Sequence, residues 1–290
     1  MKLGEYKEWI TGMAELLAFS WKPKVIGSDL SLRWELTKRA FNALRPGITQ
    51  VNWFFTGACN FSCYYCNSRG GKDTGLAEKE QGLELIVKKF SPKVLNITGG
   101  EPTLKFDELL GFIRHAKALG IFTVTLNTNG SRLDNETLEG LADAGLAYIS
   151  FSYDGIPPKD DKSIFEKASY DGQLGIVPII QPVFSSLNWH LRDEIAEQCD
   201  GVAFFNPAIV NNLGLDYSSR EASPPAAEEV RAFFAKMASL RWWSRVSLSD
   251  SFYRYLSKKY GTPYRCNDFN WIAVSSDGRL KHCSEFGTDF

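Results

Sequence analysis

Between residues 51 and 206, short apolar runs alternate with longer stretches in which apolar residues recur every three or four positions. Short apolar runs bounded by turn residues predict buried strands, and the wider spacing predicts amphipathic helices. We expect strands near residues 51–56, 93–97, 121–126, 147–152, 176–183 and 201–206, and helices near 78–90, 106–119, 134–144, 160–173 and 189–198. This alternation is typical of parallel strands joined by right-handed crossovers. It predicts an α/β fold in which residues 49–210 form a partial (β/α)6 TIM-like barrel.

The amino-terminal segment, residues 1–48, breaks the alternation. Its apolar residues recur at helical spacing, which predicts a helical cap on the barrel. A helix lying on a lipid surface is the alternative, because Trp9 and Trp21 share the segment with lysines. The acidic residues of the same segment disfavour contact with lipid.

The carboxyl-terminal segment, residues 211–290, also departs from the strand–helix pattern. We expect a loop first, then helices near 226–240 and 248–259. The last part reads as a short β-hairpin, in which Trp271–Val274 and Leu280–Cys283 flank a Ser-Ser-Asp-Gly turn. The barrel is therefore expected to carry a short hairpin extension.

Composition narrows the class of protein without identifying a substrate. The chain has 290 residues, 44% of them hydrophobic and 23% charged, with a formal net charge of -1. These values are ordinary for a globular protein, and they offer no electrostatic reason to bind nucleic acid. The amino terminus is too charged to open a signal peptide, and no apolar run is long enough to cross a bilayer. We expect a cytoplasmic protein whose cysteines are reduced.

The most informative stretch is a cysteine triplet just after the first predicted strand. Cys59, Cys63 and Cys66 occur in the run Cys-Asn-Phe-Ser-Cys-Tyr-Tyr-Cys. Three thiolates hold iron or zinc well but leave a tetrahedral site one ligand short. In a four-iron cluster, the shortage leaves one iron open to a small molecule. The alternative is a zinc site that a distant histidine completes, and the chain offers His115, His190 and His282 for that role.

Further polar and glycine-rich motifs follow later strands. They are Gly99-Gly100-Glu101-Pro102, Thr128-Asn129-Gly130 and Ser152-Tyr153-Asp154-Gly155. In parallel barrels the carboxyl ends of the strands form the rim where chemistry is placed. We therefore expect these motifs to meet the cysteine triplet at one rim.

The triplet and the three rim motifs, in this order, resemble the signatures of the radical S-adenosylmethionine (radical SAM) superfamily. The resemblance covers residues 50 to 210 and implies an oxygen-sensitive enzyme in which Cys59, Cys63 and Cys66 hold a [4Fe-4S] cluster. It implies that S-adenosylmethionine (SAM) chelates the open iron and contacts residues on the strand ends, namely Tyr65 through its backbone, Gly99, Gly100, Glu101, Thr128, Ser152 and Gln181. Phe61 would pack over the cluster.

The resemblance also implies the reaction. An electron from a small donor protein of the flavodoxin or ferredoxin type would cleave SAM into methionine and a 5′-deoxyadenosyl radical, which takes a hydrogen atom from the substrate or adds to it. The substrate stays open between a peptide, a small metabolite and a lipid. The sequence assigns no catalytic residue beyond the cofactor site.

The remaining cysteines are more ambiguous. Cys266 and Cys283 bracket the predicted hairpin and resemble the opening half of a SPASM/twitch extension, which holds auxiliary clusters, but the later cysteines of that pattern are absent. Three interpretations stay open: a hairpin without metal, a second iron–sulfur cluster with ligands other than cysteine, or another small metal site or disulfide. Cys199 is expected to be a small buried hydrophobe.

Overall fold

The computed structural model describes residues 48–66, 70–210, 222–239, 260 and 271–281. The predicted amino-terminal cap, the predicted helix near 248–259, Cys266, His282 and Cys283 lie outside the described residues. Within the described part, no helix is both long and apolar enough to cross a membrane.

A single eight-stranded sheet organises the described residues. Its strands, in chain order, are β1 (Gln50–Phe54), β2 (Val94–Thr98), β3 (Thr123–Thr128), β4 (Tyr148–Phe151), β5 (Val177–Ile180), β7 (Phe204–Phe205), β9 (Trp271–Val274) and β10 (Leu280–Lys281). Their spatial order is β10-β9-β1-β2-β3-β4-β5-β7, and every pair is parallel except β9 with β10. A separate pair, β6 (Val183–Phe184) and β8 (Ala208–Ile209), is also parallel. The sheet is open, which agrees with the predicted partial barrel.

Helices connect successive strands, as the alternating pattern predicts. They are α1 (Leu76–Phe90), α2 (Phe106–Ala118), α3 (Asn135–Ala144), α4 (Ser163–Gln173) and α5 (Arg192–Gln198). A further helix, α6 (Ala227–Ser239), follows β8. Short 3-10 turns precede α2 at Pro102–Lys105 and α5 at Trp189–Leu191. The α/β class and the strand–helix order are confirmed.

The two faces of the sheet differ because strand side chains alternate in direction. One face is apolar: Val51, Trp53 and Phe55 are almost completely buried, and Phe112 of α2 packs against Trp53 with tilted rings whose centroids are 5.1 Å apart. The other face carries polar side chains along neighbouring strands. Asn96 Nδ2 donates to Asn52 Oδ1 at 3.2 Å, and Thr125 Oγ1 donates to Asn96 Oδ1 at 2.7 Å. This polar face leads to the rim where the motifs meet.

The strand predicted over 176–183 is divided in the structure. Its first part, β5, belongs to the main sheet, and its second part, β6, pairs instead with β8. Pro182 stands at the division and Pro207 stands at the matching position between β7 and β8. Proline has no N–H to donate to a ladder, so both strands leave the main sheet at these residues.

The carboxyl-terminal hairpin forms where it is expected but takes an unexpected place. Strand β9 pairs in parallel with β1, so Gln50 lies opposite Trp271 and Trp53 lies opposite Val274. The hairpin is therefore the edge of the main sheet rather than a separate extension. Its turn meets the segment after the cysteine triplet, where the amide of Thr74 donates to the carbonyl of Ser276 at 2.8 Å.

Candidate metal and cofactor site

The three cysteines lie together beside one cavity at the carboxyl ends of the parallel strands. Cys63 is buried, and Cys59 and Cys66 are half-buried. The cavity has a volume of ≈ 350 Å³ and is lined by Cys59, Phe61, Cys63, Tyr65, Cys66, Thr98, Gly99, Gly100, Glu101, Asn127, Thr128, Asn129, Ser152, Lys159, Gln181, Val183, Ala208, Ile209 and Val210. Every residue that the sequence places at the cluster or at SAM, within the described residues, lines this cavity. The expectation that the motifs share one rim is confirmed.

The start of the cysteine loop is held by Asp73. Its carboxylate accepts from the hydroxyl of Thr56 at 2.5 Å and from the amide of Gly57 at 2.8 Å, and it pairs with Lys105 at 3.0 Å. Burial acts to raise the pKa of Asp73, but these hydrogen bonds and the charge of Lys105 outweigh it and hold the pKa below its usual value. Sequence analysis missed Asp73 because a single acidic residue in a polar loop carries no pattern.

Gly99 and Gly100 let strand β2 approach the cysteine loop. The amide of Gly100 donates to the carbonyl of Thr56, and the amide of Glu101 donates to the carbonyl of Ala58, both at 2.7 Å. A Cβ atom added at Gly100 would lie 2.0 Å from the oxygen of Ala58, and Gly99 has a φ of +127°. These distances leave no space for a side chain. The glycine pair is therefore required by backbone packing under the cluster loop, whatever contact it also makes with SAM.

Glu101 links the first and second rim motifs. Its side chain is 1% exposed and accepts four hydrogen bonds. The donors are the amide and hydroxyl of Thr103, the hydroxyl of Thr128 at 2.7 Å and the amide of Asn129 at 2.7 Å. The carboxylate of Glu101 and the hydroxyl of Thr128 thus bind each other. Their contacts with SAM stay predictions.

The cysteine loop is also tied to the second rim motif. Asn129 Nδ2 donates to Asn60 Oδ1 at 2.9 Å, and Asn60 Nδ2 donates to the hydroxyl of Ser131 at 2.9 Å. The hydroxyl and amide of Ser131 both donate to Asn129 Oδ1. Asn60 lies directly after Cys59, so this network fixes the first cysteine against β3.

Tyr65 joins the loop to the third rim motif through buried charged groups. Its hydroxyl donates to Asp154 Oδ2 at 2.5 Å and accepts from the ammonium of Lys159 at 2.7 Å. Burial raises the pKa of the Asp154 carboxyl, while Lys159 and the hydrogen bonds from Tyr65 and the Val183 amide act against that rise. Lys159 was not singled out from the sequence, since it lies in a polar turn without a recognisable motif.

The chemistry of the donor set fits an iron–sulfur cluster. Burial raises the thiol pKa values of Cys59 and Cys63, and a bound metal would hold both groups as thiolates. The amide of Phe61 donates to Cys59 Sγ at 3.4 Å, the kind of contact that stabilises a cluster sulfur. Among the described residues, no three His, Cys, Asp or Glu side chains converge on a single ion. A cluster does not need such convergence, because each thiolate binds a different iron.

The far wall of the cavity holds the remaining predicted residues. Ser152 is half-buried, and its amide donates to the carbonyl of Thr128 at 2.8 Å. Gln181 accepts from the hydroxyl of Ser150 at 2.9 Å. Beyond them the wall is apolar, formed by Val183 and by Ala208–Val210. His115 and His190 do not line the cavity, and Cys199 is fully buried elsewhere, as expected.

A three-thiol loop at the carboxyl ends of parallel strands, braced by a Gly-Gly pair, defines a class of enzymes that combine an iron–sulfur cluster with a small ligand on its open iron. Residues 53–174 match the family model described as the Radical SAM superfamily. The matched residues include the cysteine loop and all three rim motifs, so this part of the chain is a radical SAM domain, and that family implies a [4Fe-4S] cluster and SAM.

Curated relatives extend the similarity beyond the matched domain. The chain is 28% identical over 254 residues to a probable GTP 3′,8-cyclase of Metallosphaera sedula, covering 79% of this chain and 78% of the relative. It is 25% identical over 269 residues to a probable GTP 3′,8-cyclase of Sulfurisphaera tokodaii, covering 84% and 82%.

Solved structures support the fold. The structure of Streptococcus suis SuiB bound to S-adenosylmethionine has a TM-score of 0.66 and 15% identity, covering 88% of this chain and 66% of that chain. The structure of anSMEcpe with bound AdoMet has a TM-score of 0.59 and 17% identity, covering 84% and 76%.

Proposed function

We propose that Cys59, Cys63 and Cys66 hold a [4Fe-4S] cluster at which SAM is cleaved reductively, and that the resulting radical takes a hydrogen atom from an organic substrate. The observation that carries this proposal is the shared cavity: the three thiols and all three rim motifs line one space of ≈ 350 Å³. When bound, the cluster and SAM supply a 5′-deoxyadenosyl radical. A small donor protein of the flavodoxin or ferredoxin type supplies the electron.

The protein's own part is to place SAM and exclude water. The backbone beside Gly99 and Gly100 faces the cavity next to the thiols, so its carbonyl groups can accept from the amino group of SAM. On the far wall, the hydroxyl of Ser152 and the amide of Gln181 can hydrogen-bond the ribose. The apolar wall at Val183 and Ala208–Val210 suits the adenine and keeps water away from the radical.

Anaerobic reconstitution with iron and sulfide tests the proposal. The wild-type protein, reduced with dithionite and given SAM, should form methionine and 5′-deoxyadenosine. Replacing Cys59, Cys63 or Cys66 by alanine should abolish both the cluster absorbance and SAM cleavage. Cys199→Ala is the matched control, because Cys199 is buried away from the cavity and should leave both unchanged. A wild-type protein that binds about one zinc and cleaves no SAM would contradict the proposal.

A GTP 3′,8-cyclase activity is the second candidate, and the two curated relatives favour it. Joining C3′ to C8 of GTP requires a hydrogen atom to leave C3′. GTP deuterated at C3′ should therefore transfer deuterium to 5′-deoxyadenosine. The described lining of the cavity speaks against this substrate, because Lys159 is its one cationic side chain and a triphosphate calls for several. Cleavage of SAM with no transfer from GTP would point to a peptide, a lipid or another metabolite.

A further inference from the structure

Among the described residues that line the cavity, Lys159 carries the one cationic side chain. This side chain is 12% exposed, so solvent screens its charge only weakly. Its ammonium donates to the hydroxyl of Tyr65 at 2.7 Å and lies 5.0 Å from the centre of the Tyr65 ring. Tyr65 stands between Cys63 and Cys66, so the lysine reaches the cysteine loop itself.

The lysine is held in this place by its surroundings. The carbonyl of Lys159 accepts from the amides of Asp154 at 2.9 Å and Gly155 at 3.0 Å, which closes a tight turn. Asp154 is in turn fixed by the amide of Val183, which donates to Oδ1 at 2.8 Å, and by Asn188, which donates to its carbonyl at 2.9 Å. Asp154 Oδ2 is 4.0 Å from the Lys159 ammonium and accepts a hydrogen bond from the Tyr65 hydroxyl. A positive charge is thus fixed on the wall of the cavity that the three thiols also line.

A fixed positive charge next to a redox group favours its reduced form, because the reduced form carries one more negative charge. Lys105 offers a contrast: it pairs with Asp73 at 3.0 Å and does not line the cavity. Lys159 therefore carries the one cationic side chain among the described residues that line the cluster site.

We propose that Lys159 is a positioning residue that raises the reduction potential of the cluster held by Cys59, Cys63 and Cys66, and that Tyr65 and Asp154 hold its ammonium in place. This inference rests on the proposed function, since it needs that cluster. The consequence is that a weaker electron donor suffices to start the reaction. One electron passes from the donor protein, which is oxidised, to the cluster, which is reduced by that electron.

The test is a potentiometric titration of the reconstituted protein with dithionite, followed by electron paramagnetic resonance in the absence of SAM. Lys159→Met keeps much of the volume but removes the charge. At a fixed potential we expect its ratio of reduced to oxidised cluster to fall about tenfold, as for a unit charge roughly 10 Å away in a medium of effective dielectric constant about 20. For a one-electron couple, this is a shift of about 59 mV towards negative potential.

Two matched variants separate charge from shape. Lys159→Arg keeps the charge and should stay close to the wild-type potential. Lys162→Met removes the charge of a lysine whose side chain is 67% exposed and paired with Glu194, and it should not shift the potential. If Lys159→Met does not fold, Lys159→Gln serves instead, because its amide can still donate to Tyr65. Equal shifts in the Met and Arg variants would show a structural role and overturn the proposal.

The remaining outcomes are also decisive. A wild-type protein that assembles no cluster would defeat the proposed function itself. A cluster with the same potential in the wild type and in Lys159→Met would overturn this inference alone. Unchanged potential with weaker binding of SAM would likewise overturn it, and would assign the lysine to the ligand.

Discussion

The rim and helix α4 both bury a carboxyl group, but only the rim supplies that group with hydrogen-bond donors. At the rim, Glu101 is 1% exposed and accepts four hydrogen bonds from Thr103, Thr128 and Asn129. In helix α4, Asp171 is completely buried, and neither of its oxygens has a hydrogen-bond partner. Burial raises the pKa of Asp171 to about 8.

The difference shows how the rim is built. Burying a carboxyl group is tolerated where donors converge on it, and elsewhere the group holds its proton instead. At the rim, the convergence comes from two motifs that follow neighbouring strands, so Glu101 fastens one strand end to the next. Asp171 has no such partners and contributes no comparable link. The rim is therefore the preorganised region, and substitutions there should cost more than substitutions in α4.

The largest effect is expected from Gly100→Ala. The added Cβ would lie 2.0 Å from the oxygen of Ala58, so the cysteine loop must move away from β2. We expect the free energy of unfolding to fall by roughly 3 kcal/mol and most of the iron to be lost on reconstitution. Gly172→Ala is the control, because a Cβ at Gly172 in α4 meets nothing within 4 Å. Equal iron content in both variants would show that the rim does not depend on this close approach.

The second largest effect is expected from Glu101→Gln. The amide has nearly the same shape, but its NH2 group would face donors that now bind a carboxylate. We expect unfolding to become easier by about 2 kcal/mol, the usual cost of losing hydrogen bonds to a charged group. Thermal unfolding of the wild type and the variant measures this cost. A variant as stable as the wild type would mean that Glu101 does not brace the rim.

Asp171→Asn should act in the opposite direction, and increasingly so as the pH rises above about 4. The pKa of Asp171 in the folded protein, about 8, lies above its ordinary value of 3.8. Below about pH 4, Asp171 is protonated in both the folded and the unfolded protein, so its burial carries no cost of ionisation. As the pH rises from 4 to 8, the unfolded protein loses this proton first, so the free energy of unfolding falls until the pH passes 8. Asparagine does not titrate, so the variant should gain on the wild type from pH 4 to 8 and level off above that.

Urea unfolding of the Asp171→Asn variant and the wild type at several pH values checks this prediction. The difference between the two proteins is the quantity to follow, because other groups titrate in both. A difference that stays constant between pH 4 and 8 would show that Asp171 is not a strained buried acid, and the contrast with Glu101 would disappear.

The smallest effect is expected from Gln181→Ala on the far wall of the cavity. Gln181 accepts one hydrogen bond, from Ser150, and faces the cavity. Stability should change by less than about 1 kcal/mol, whereas the KM for SAM should rise by about twofold to tenfold if the amide binds the ribose. Steady-state formation of 5′-deoxyadenosine measures this change. An unchanged KM would remove Gln181 from the predicted SAM contacts.

Much of the fold follows from the sequence because local patterns determine it. The strand–helix alternation predicts β1–β5 and the helices between them, and the cysteine triplet with its rim motifs predicts which residues line the cavity. Hydrophobic periodicity reflects burial and turn residues, and both can be recognised from residues that are close together in the sequence. This is why the sequence alone predicts one shared rim for Cys59, Gly99, Thr128 and Ser152.

The contacts that the sequence does not reveal are those between distant segments. The pairing of β9 with β1 joins residues more than 200 positions apart, and nothing in Trp271–Val274 indicates its neighbour. Asp73 and Lys159 are single polar residues in loops, so their partners appear only when the chain is folded. The hydrogen bond between Thr128 and Glu101 is another contact that the sequence does not reveal, since each of the two motifs alone is compatible with a ligand contact.

The central claim is that three thiolates leave one iron of a four-iron cluster open for SAM. The most direct test is electron paramagnetic resonance of the reduced, reconstituted wild-type protein, with hyperfine measurements on SAM that carries ¹⁵N in its amino group. The account predicts a [4Fe-4S]⁺ signal that changes when SAM is added and shows coupling to the ¹⁵N nucleus. A cluster signal that SAM leaves unchanged, with no ¹⁵N coupling, would contradict it.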